Sequence, residues 1–150
     1  MSDETIVVVN PASANGRTGR RWPELAAKLR GRIGDFEAAF TQAPKEATSI
    51  VRSALASGTK HVVSVGGDGT HNEVVNGLYD GRTLVAEGVT LSLIPTGTGG
   101  DLRRTVGLPD SPVEAIDYVG HAPQPVDVGR LTYIDHRGGE ALAHFLRSLL

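Results

Sequence analysis

Residues 61–73, which read HVVSVGGDGTHNE, constrain the fold of this chain more than any other stretch. Its three valines suit a strand that is buried on both faces. Three of the next four residues are glycines, which let the backbone turn sharply and let another group approach closely. Thr70 and Glu73 have the spacing of a capping box, which predicts that a helix begins there. The stretch therefore predicts a strand, a glycine turn and a helix N-terminus, an arrangement whose backbone N–H groups bind phosphate.

Asp68 distinguishes this turn from the commoner phosphate-binding loops. No G-x-x-x-x-G-K-[ST] stretch occurs in the chain, which excludes a Walker loop. Asn72 stands where a dinucleotide-binding fingerprint would have its third glycine. A carboxylate beside phosphates is repulsive unless it holds a metal ion or a proton. Asp68 therefore indicates either a metal-assisted nucleotide site or, in the simpler alternative, a residue that only caps the helix.

Three further apolar runs predict strands of the same sheet, at residues 6–9, 36–40 and 90–94. Stretches with apolar residues at helical spacing separate them. Successive strand–helix units predict a three-layer α/β/α fold with a mostly parallel sheet. Ligands bind such sheets at the carboxyl ends of the strands, and each glycine-rich turn of this chain follows a strand. We therefore expect these turns to converge on one site.

The pattern changes near residue 122. A capping box at 111–114 predicts a last helix, and alternating apolar residues from 126 to 133 then indicate a strand, with a turn signalled by Gly138-Gly139. We interpret 1–122 as a nucleotide-binding α/β domain and 123–150 as a separate segment.

Composition excludes several classes of protein. Of the 150 residues, 39% are hydrophobic and 21% charged, as in ordinary globular domains. The formal net charge of -2 gives no general attraction to nucleic acid. The absence of cysteine excludes disulfides and thiolate chemistry. The polar N-terminus is unlike a signal peptide and no apolar run is long enough to span a membrane, so we expect a cytoplasmic location.

Three motifs in order resemble the diacylglycerol kinase catalytic domain family, which includes sphingosine kinases and bacterial lipid kinases. They are Asn10-Pro11-Ala12-Ser13, the GGDGT-x-N-E stretch of 66–73, and the PTGTGGD stretch of 95–101. GGDGT by itself is shared with NAD kinases. The resemblance covers nearly the whole chain but only the first half of a full-length family member. It implies that 123–150 are antiparallel crossover strands, with a final strand over 143–146, leading into a β-rich second domain, which the chain, ending at Leu150, would lack.

The resemblance implies a lipid kinase that uses ATP and Mg²⁺ on diacylglycerol or a related lipid alcohol. It implies transient contact with a membrane surface, no nucleic acid partner, and a homodimer as one assembly to consider. Asp68 would orient the nucleotide or Mg²⁺, and Asp101 would act on the substrate side or cap a helix. The implied nucleotide-binding residues are Asn10, Pro11, Ala12, Ser13, Ala14, Thr41, Gly66, Gly67, Asp68, Gly69, Thr70, His71, Asn72, Glu73, Gly97 and Thr98.

The chain departs from the family pattern at three points. Gly100 replaces an asparagine, Ala14 replaces a glycine, and the general-base carboxylate would belong to the second domain. We therefore expect little kinase activity from this chain alone. His71 stands at a position that is often apolar in the family, which favours a packing or surface role for this side chain. An NAD-kinase-like enzyme and a non-catalytic nucleotide-binding fragment are the alternatives.

Overall fold

The computed structural model describes residues 4–97 and 101–146, including all their side chains except those of Asp101, Leu102 and Thr105. Within these residues the elements follow one another as β1 Thr5–Val9, α1 Arg17–Ile33, β2 Glu37–Phe40, α2 Glu46–Ala56, β3 His61–Gly66, α3 Asp68–Gly77, β4 Tyr79–Asp80, β5 Thr83–Leu84, β6 Thr90–Pro95, α4 Asp101–Val106, α5 Pro112–Ile116, β7 Val128–Ile134 and β8 Glu140–Leu146.

The main sheet has four parallel strands in the order β2-β1-β3-β6, which confirms the predicted fold class. Two small antiparallel pairs, β4–β5 and β7–β8, lie outside it. Because β2 lies on one side of β1 and β3 on the other, the strand order reverses between β1 and β3. Such a switch point opens a crevice at the carboxyl ends of the two strands.

The core consists of two apolar layers, one on each face of the sheet. Alternate residues of β1 and β3 point to opposite faces, so Val7 and Val63 pack in one layer while Val8 and Val62 pack in the other. The first layer includes residues of α1 and α5, and the second includes residues of α2 and α3. Both faces of the sheet are therefore covered by helices, which explains the continuous valine runs.

The helix beside the carboxyl end of β3 begins earlier than predicted. Helix α3 begins at Asp68 after Gly67, and no side chain caps it, so the prediction of a Thr70 capping box was wrong. The reason is Gly66, where a Cβ would lie 2.6 Å from the Thr70 hydroxyl. Because glycine has no Cβ, the helix can begin directly after the strand. The predicted cap at Ser111 is confirmed, since its hydroxyl accepts the Glu114 N–H at 3.4 Å.

The antiparallel pairs were predicted less completely. The β4–β5 hairpin was not predicted, although Asp80-Gly81 is a turn signal and Gly81 has a φ of 59°. Strand β8 is longer than the predicted 143–146, because its first residues pair with β7. Strand β8 packs against α3. The division of the chain after residue 122 stays a prediction.

In the part of the chain that the structure describes, no helix combines the length and the apolar character needed to cross a membrane.

Candidate functional site

A cleft of about 380 Å³ lies at the carboxyl ends of β1 and β3, where the strand order reverses. Three segments contribute to it: the loop after β1, the turn that starts α3, and the end of β6. The residues that line it are Asn10, Ser13, Ala14, Asn15, Gly67, Asp68, Gly69, Thr70, Glu73 and Gly97. All except Asn15 belong to the residues implied by the motifs. The Asn-Gly pair at 15–16 signalled a turn but not a contact with the cleft.

Asn10 joins the first two of these segments. Its side-chain Nδ2 donates to the Thr70 hydroxyl at 3.1 Å, and its Oδ1 accepts the Ala12 N–H at 3.1 Å. Its backbone N–H donates to the Val65 carbonyl at 3.0 Å. The amide therefore holds the loop after β1 against the first turn of α3, and the Thr70 hydroxyl is engaged with Asn10 instead of capping its own helix.

The loop after β1 turns through left-handed backbone. Ala14 and Asn15 both have a φ of 57°, and Gly16 follows with a φ of 83°. Gly19 then packs on Pro11, where a Cβ would lie 3.1 Å from the Pro11 carbonyl oxygen. Ala14 occupies a conformation that favours glycine, which is the residue type the family motif has at this position.

Two glycines let the remaining segments touch backbone to backbone. A Cβ on Gly97 would lie 2.8 Å from the Gly67 Cα. The Thr96 N–H donates to the Gly66 carbonyl at 2.8 Å, and the Thr18 hydroxyl donates to the Thr96 hydroxyl at 2.7 Å. The end of β6, the glycine turn and α1 are thus fixed to one another along one wall of the cleft.

Asp68 is the first residue of α3 and lines the cleft. The N-terminus of a helix favours an anion, and here it holds a carboxylate beside the backbone N–H groups that would face a phosphate. Within residues 4–97 and 101–146, no group of three or more acidic, histidine or cysteine side chains is placed to hold a metal ion. Asp68 and Glu73 are the carboxylates that line the cleft, and this donor set fits Mg²⁺ held by a carboxylate together with the phosphates of a nucleotide.

His71 is fully buried and its side chain faces the core instead of the cleft. Its Nδ1 is 2.7 Å from the Ser64 hydroxyl, and its Nε2 has no hydrogen-bond partner among the described residues. Burial lowers the pKa of His71 to about 4, although the Asp68 carboxylate opposes the shift. The imidazole is therefore neutral at physiological pH and ties α3 to β3 beneath the glycine turn.

The other implied residues that the structure describes do not line the cleft. Gly66 and Asn72 belong to the same turn and helix, while Pro11 and Ala12 lie in the loop after β1. The Thr41 N–H donates to the Val9 carbonyl at 2.9 Å just beyond β2, one strand away from the switch point. Thr98, Gly100 and the Asp101 side chain lie outside what the structure describes. The nucleotide contacts expected of the implied residues stay predictions, as does the role of Asp101 on the substrate side or as a helix cap.

A second pocket of about 230 Å³ shares Ala14 and Gly97 with the cleft. Arg17 and Arg21, one turn apart on α1, line it together with Leu25. The Arg17 Nε donates to the Ala14 carbonyl at 3.2 Å, so this side chain also supports the loop after β1. Positive charge therefore lies beside the cleft.

Comparisons with known proteins agree with this geometry. The family model described as "Diacylglycerol kinase catalytic domain" matches residues 4–131. A protein of Staphylococcus carnosus named "Diacylglycerol kinase" is 33% identical over 133 residues, which are 87% of this chain and 42% of that protein. A Pseudomonas putida protein named "Probable lipid kinase YegS-like" is 33% identical over 109 residues, which are 68% of this chain and 36% of that protein.

A solved structure of a diacylglycerol kinase from Bacillus anthracis superposes with a TM-score of 0.74 at 28% identity. The match covers 95% of this chain and 45% of that one. The chain thus spans less than half the length of each of these relatives. The family model and the relatives agree with the motifs at the cleft, and the chain belongs to the diacylglycerol kinase catalytic domain family.

Proposed function

We propose that this chain is the nucleotide-binding part of a lipid kinase that uses Mg²⁺ and ATP. The observation that carries the proposal is the convergence of three segments on one cleft at the switch point of a parallel sheet. Phosphoryl transfer depends on positioning and charge neutralisation more than on covalent chemistry by the protein. A cleft with glycine-rich walls, a helix N-terminus and two lining carboxylates, Asp68 and Glu73, supports such a function.

Each part of the cleft has a role in the proposal. The backbone N–H groups at the start of α3 would donate hydrogen bonds to the phosphates, because Gly67 and Gly69 leave that surface without side chains. Asn10 would keep the loop after β1 in register with α3 through its bond to Thr70. Bound ATP would supply the phosphoryl group, with Mg²⁺ neutralising its charge. Asp68 would hold that cation at the edge of the helix.

The lipid substrate is proposed from the relatives, whose names include diacylglycerol kinase and lipid kinase. We propose diacylglycerol or a related lipid alcohol, met at a membrane surface. The division into a nucleotide-binding part, 1–122, and a segment leading to a second part, 123–150, belongs to the same proposal. An NAD-kinase-like enzyme is less favoured, since the family model and these relatives are diacylglycerol and lipid kinases.

Calorimetric titration of the chain with ATP in the presence of Mg²⁺ tests the nucleotide site. Asp68→Asn keeps a good residue for a helix N-terminus but removes the charge. It should weaken Mg²⁺-dependent binding by about ten- to a hundredfold, the usual loss for a hydrogen-bonded charged partner, and leave the melting temperature nearly unchanged. Asp80→Asn, an exposed change in β4, is the matched control and should bind like the wild type.

Two results would contradict the nucleotide site: no heat at millimolar ATP from a folded sample, or an Asp68→Asn variant that binds ATP normally but melts earlier. The second would give Asp68 only a structural role, through its negative charge in the first turn of α3. Transfer of labelled γ-phosphate to diacylglycerol in mixed micelles tests the lipid separately, with the full-length Staphylococcus carnosus relative as the comparison protein.

A further inference from the structure

The β7–β8 hairpin is fastened to the C-terminal end of α3, the helix whose N-terminal end lines the cleft. The Asn76 side chain makes two bonds to the backbone of His144 in β8. Its Nδ2 donates to the His144 carbonyl at 3.0 Å, and its Oδ1 accepts the His144 N–H at 2.8 Å. This amide therefore pairs with the edge of β8 as another strand would.

The His144 ring completes the fastening. It lies flat on the Tyr79 ring, with centroids 3.8 Å apart and an angle of 3° between the planes. The residue is only 5% exposed, and its Nε2 is buried without a hydrogen-bond partner among the described residues. A neutral imidazole tolerates such a site because only one of its nitrogens carries a proton. An imidazolium has two N–H donors and a charge that must be solvated or paired.

The groups around the ring offer no acid to pair with that charge. Tyr79 on β4 carries a phenol and Asn76 on α3 an amide, and neither is a carboxylate. Arg130 on β7 is directly opposite His144 in the strand register. From α2, the Arg52 guanidinium reaches the same corner and donates to the Tyr79 carbonyl at 2.8 Å. Arg130 and Arg52, the charged groups that the strand register and the hydrogen bonds of the described residues bring to this corner, are therefore both cations.

The nearest acids on the adjoining strands lie elsewhere. Asp80 follows Tyr79, points to the opposite face of β4 and is exposed. Glu140 shares a face of β8 with His144 but is four residues away, about 13 Å along the strand. It is also exposed. Stacking on the Tyr79 ring would favour a cation, but this ring contact leaves the buried Nε2 unsatisfied.

We propose that Asn76, Tyr79 and His144 form a pH-sensitive latch, which holds the β7–β8 hairpin on α3 while His144 is neutral and releases it when His144 is protonated. Burial, reinforced by Arg130, lowers the pKa of His144 in the docked state. Because the docked pKa is lower than the ordinary value of about 6.5, docking is complete above that value. Docking is lost progressively as the pH falls below the ordinary pKa.

Heteronuclear NMR of the 150-residue chain between pH 8 and pH 5 tests the latch without any nucleotide. The Asn76 side-chain amide and the His144 backbone amide report docking directly, because they bond to each other. In the wild type, both resonances should move and the His144 amide should lose protection from hydrogen exchange as the pH falls. The imidazole of His144 should titrate with the same midpoint.

His144→Phe is the decisive variant, because a phenyl ring keeps the stacking on Tyr79 but cannot be charged. It should keep the Asn76 amide at its docked position over the whole pH range. Asn76→Ala should show the undocked His144 amide at every pH, with the resonances of the main sheet unchanged. His136→Phe changes a histidine in the exposed β7–β8 turn. In this variant docking of the hairpin should depend on pH as it does in the wild type.

Either of two results would overturn the latch: a wild-type hairpin that stays docked at pH 5, or a His144→Phe variant that undocks with the wild-type pH profile. If His144→Phe does not fold, the wild-type comparison decides, since an imidazole midpoint that differs from the docking midpoint contradicts the proposal on its own.

Discussion

At the scale of single residues, Ala14 and His71 show how side chains near the cleft are constrained by backbone and burial. Ala14 has left-handed backbone, which costs an L-residue about 1–2 kcal/mol relative to glycine. His71 is sealed under α3 with one nitrogen bonded to Ser64. Neither constraint involves a ligand, so both can be tested by stability measurements.

Ala14→Gly should raise the free energy of unfolding by roughly 0.5–1 kcal/mol, since relief of the left-handed strain exceeds the added flexibility of the unfolded chain. Ala12→Gly is the matched control. Ala12 lies in the same loop but does not have a positive φ. The control should lower the free energy of unfolding by about 0.4–1 kcal/mol. Urea denaturation measures both. Equal destabilisation by the two changes would show that the φ of Ala14 carries no strain.

Stability should fall at acidic pH because the folded-state pKa of His71, about 4, is lower than its ordinary value. Its contribution is complete above pH 6.5 and is lost as the pH falls towards 4. Between pH 7.5 and 5 this amounts to about 2 kcal/mol. A Ser64→Ala/His71→Leu double variant removes the titrating group and the hydroxyl that bonds to it. Denaturation midpoints at the two pH values should then differ less than in the wild type, while an unchanged difference would contradict the assignment.

At the scale of elements, close packing between helices decides where α3 lies. Gly77 ends α3 against α2, and a Cβ on it would lie 2.7 Å from the Val51 Cβ and 2.8 Å from the Thr48 carbonyl oxygen. The Thr48 hydroxyl donates to the Glu73 carbonyl at 2.7 Å, and Arg52 donates to the Asn76 carbonyl in α3 and to the Tyr79 carbonyl just beyond it. One face of α2 therefore holds the helix that carries the glycine turn.

Gly77→Ala should lower the free energy of unfolding by about 1–3 kcal/mol, because the added methyl group has no space between the two helices. Gly31→Ala makes the same chemical change in α1, where a Cβ meets nothing within 4 Å. It should stabilise the protein by about 0.5–1 kcal/mol through helix propensity. Thermal unfolding of the two variants and the wild type measures both changes in stability. A Gly77→Ala variant as stable as Gly31→Ala would show that α2 and α3 separate readily.

At the scale of the whole molecule, the outer face of the β7–β8 hairpin exposes apolar side chains. Leu131, Tyr133 and Phe145 are 54%, 44% and 43% exposed, and all three point away from the face that His144 shares with α3. Exposed apolar patches promote association. The surface is consistent with the homodimer considered from the sequence, which stays a proposal.

Sedimentation velocity over a range of concentrations should therefore show reversible self-association of the chain. Leu131→Lys places a charge in the centre of the apolar face and should weaken the association by at least about tenfold, since burying an unpaired charge is costly. His136→Lys adds a charge in the nearby exposed turn and should leave it unchanged. A monomer at all concentrations, or equal effects of both variants, would contradict association through this face.

The sequence by itself determined the main sheet and the location of the site. Valine runs predicted the buried strands, helical spacing predicted the covering helices, and glycine turns after strands predicted a site at their carboxyl ends. These features depend on local pattern and on general rules of chain connection. For the same reason the motif residues that line the cleft, such as Asn10, Asp68 and Gly97, could be named without the structure.

Only the tertiary structure decided which partner each side chain found. Thr70 could have capped its own helix, but Asn10, 60 residues away, engages its hydroxyl. His71 could have faced solvent, but the turn at Gly66 places it over Ser64 in the core. Asn76 meets the backbone of His144 across 68 residues. No local pattern encodes such contacts, because they depend on how separate elements pack, and the free energy of packing is shared by the whole fold.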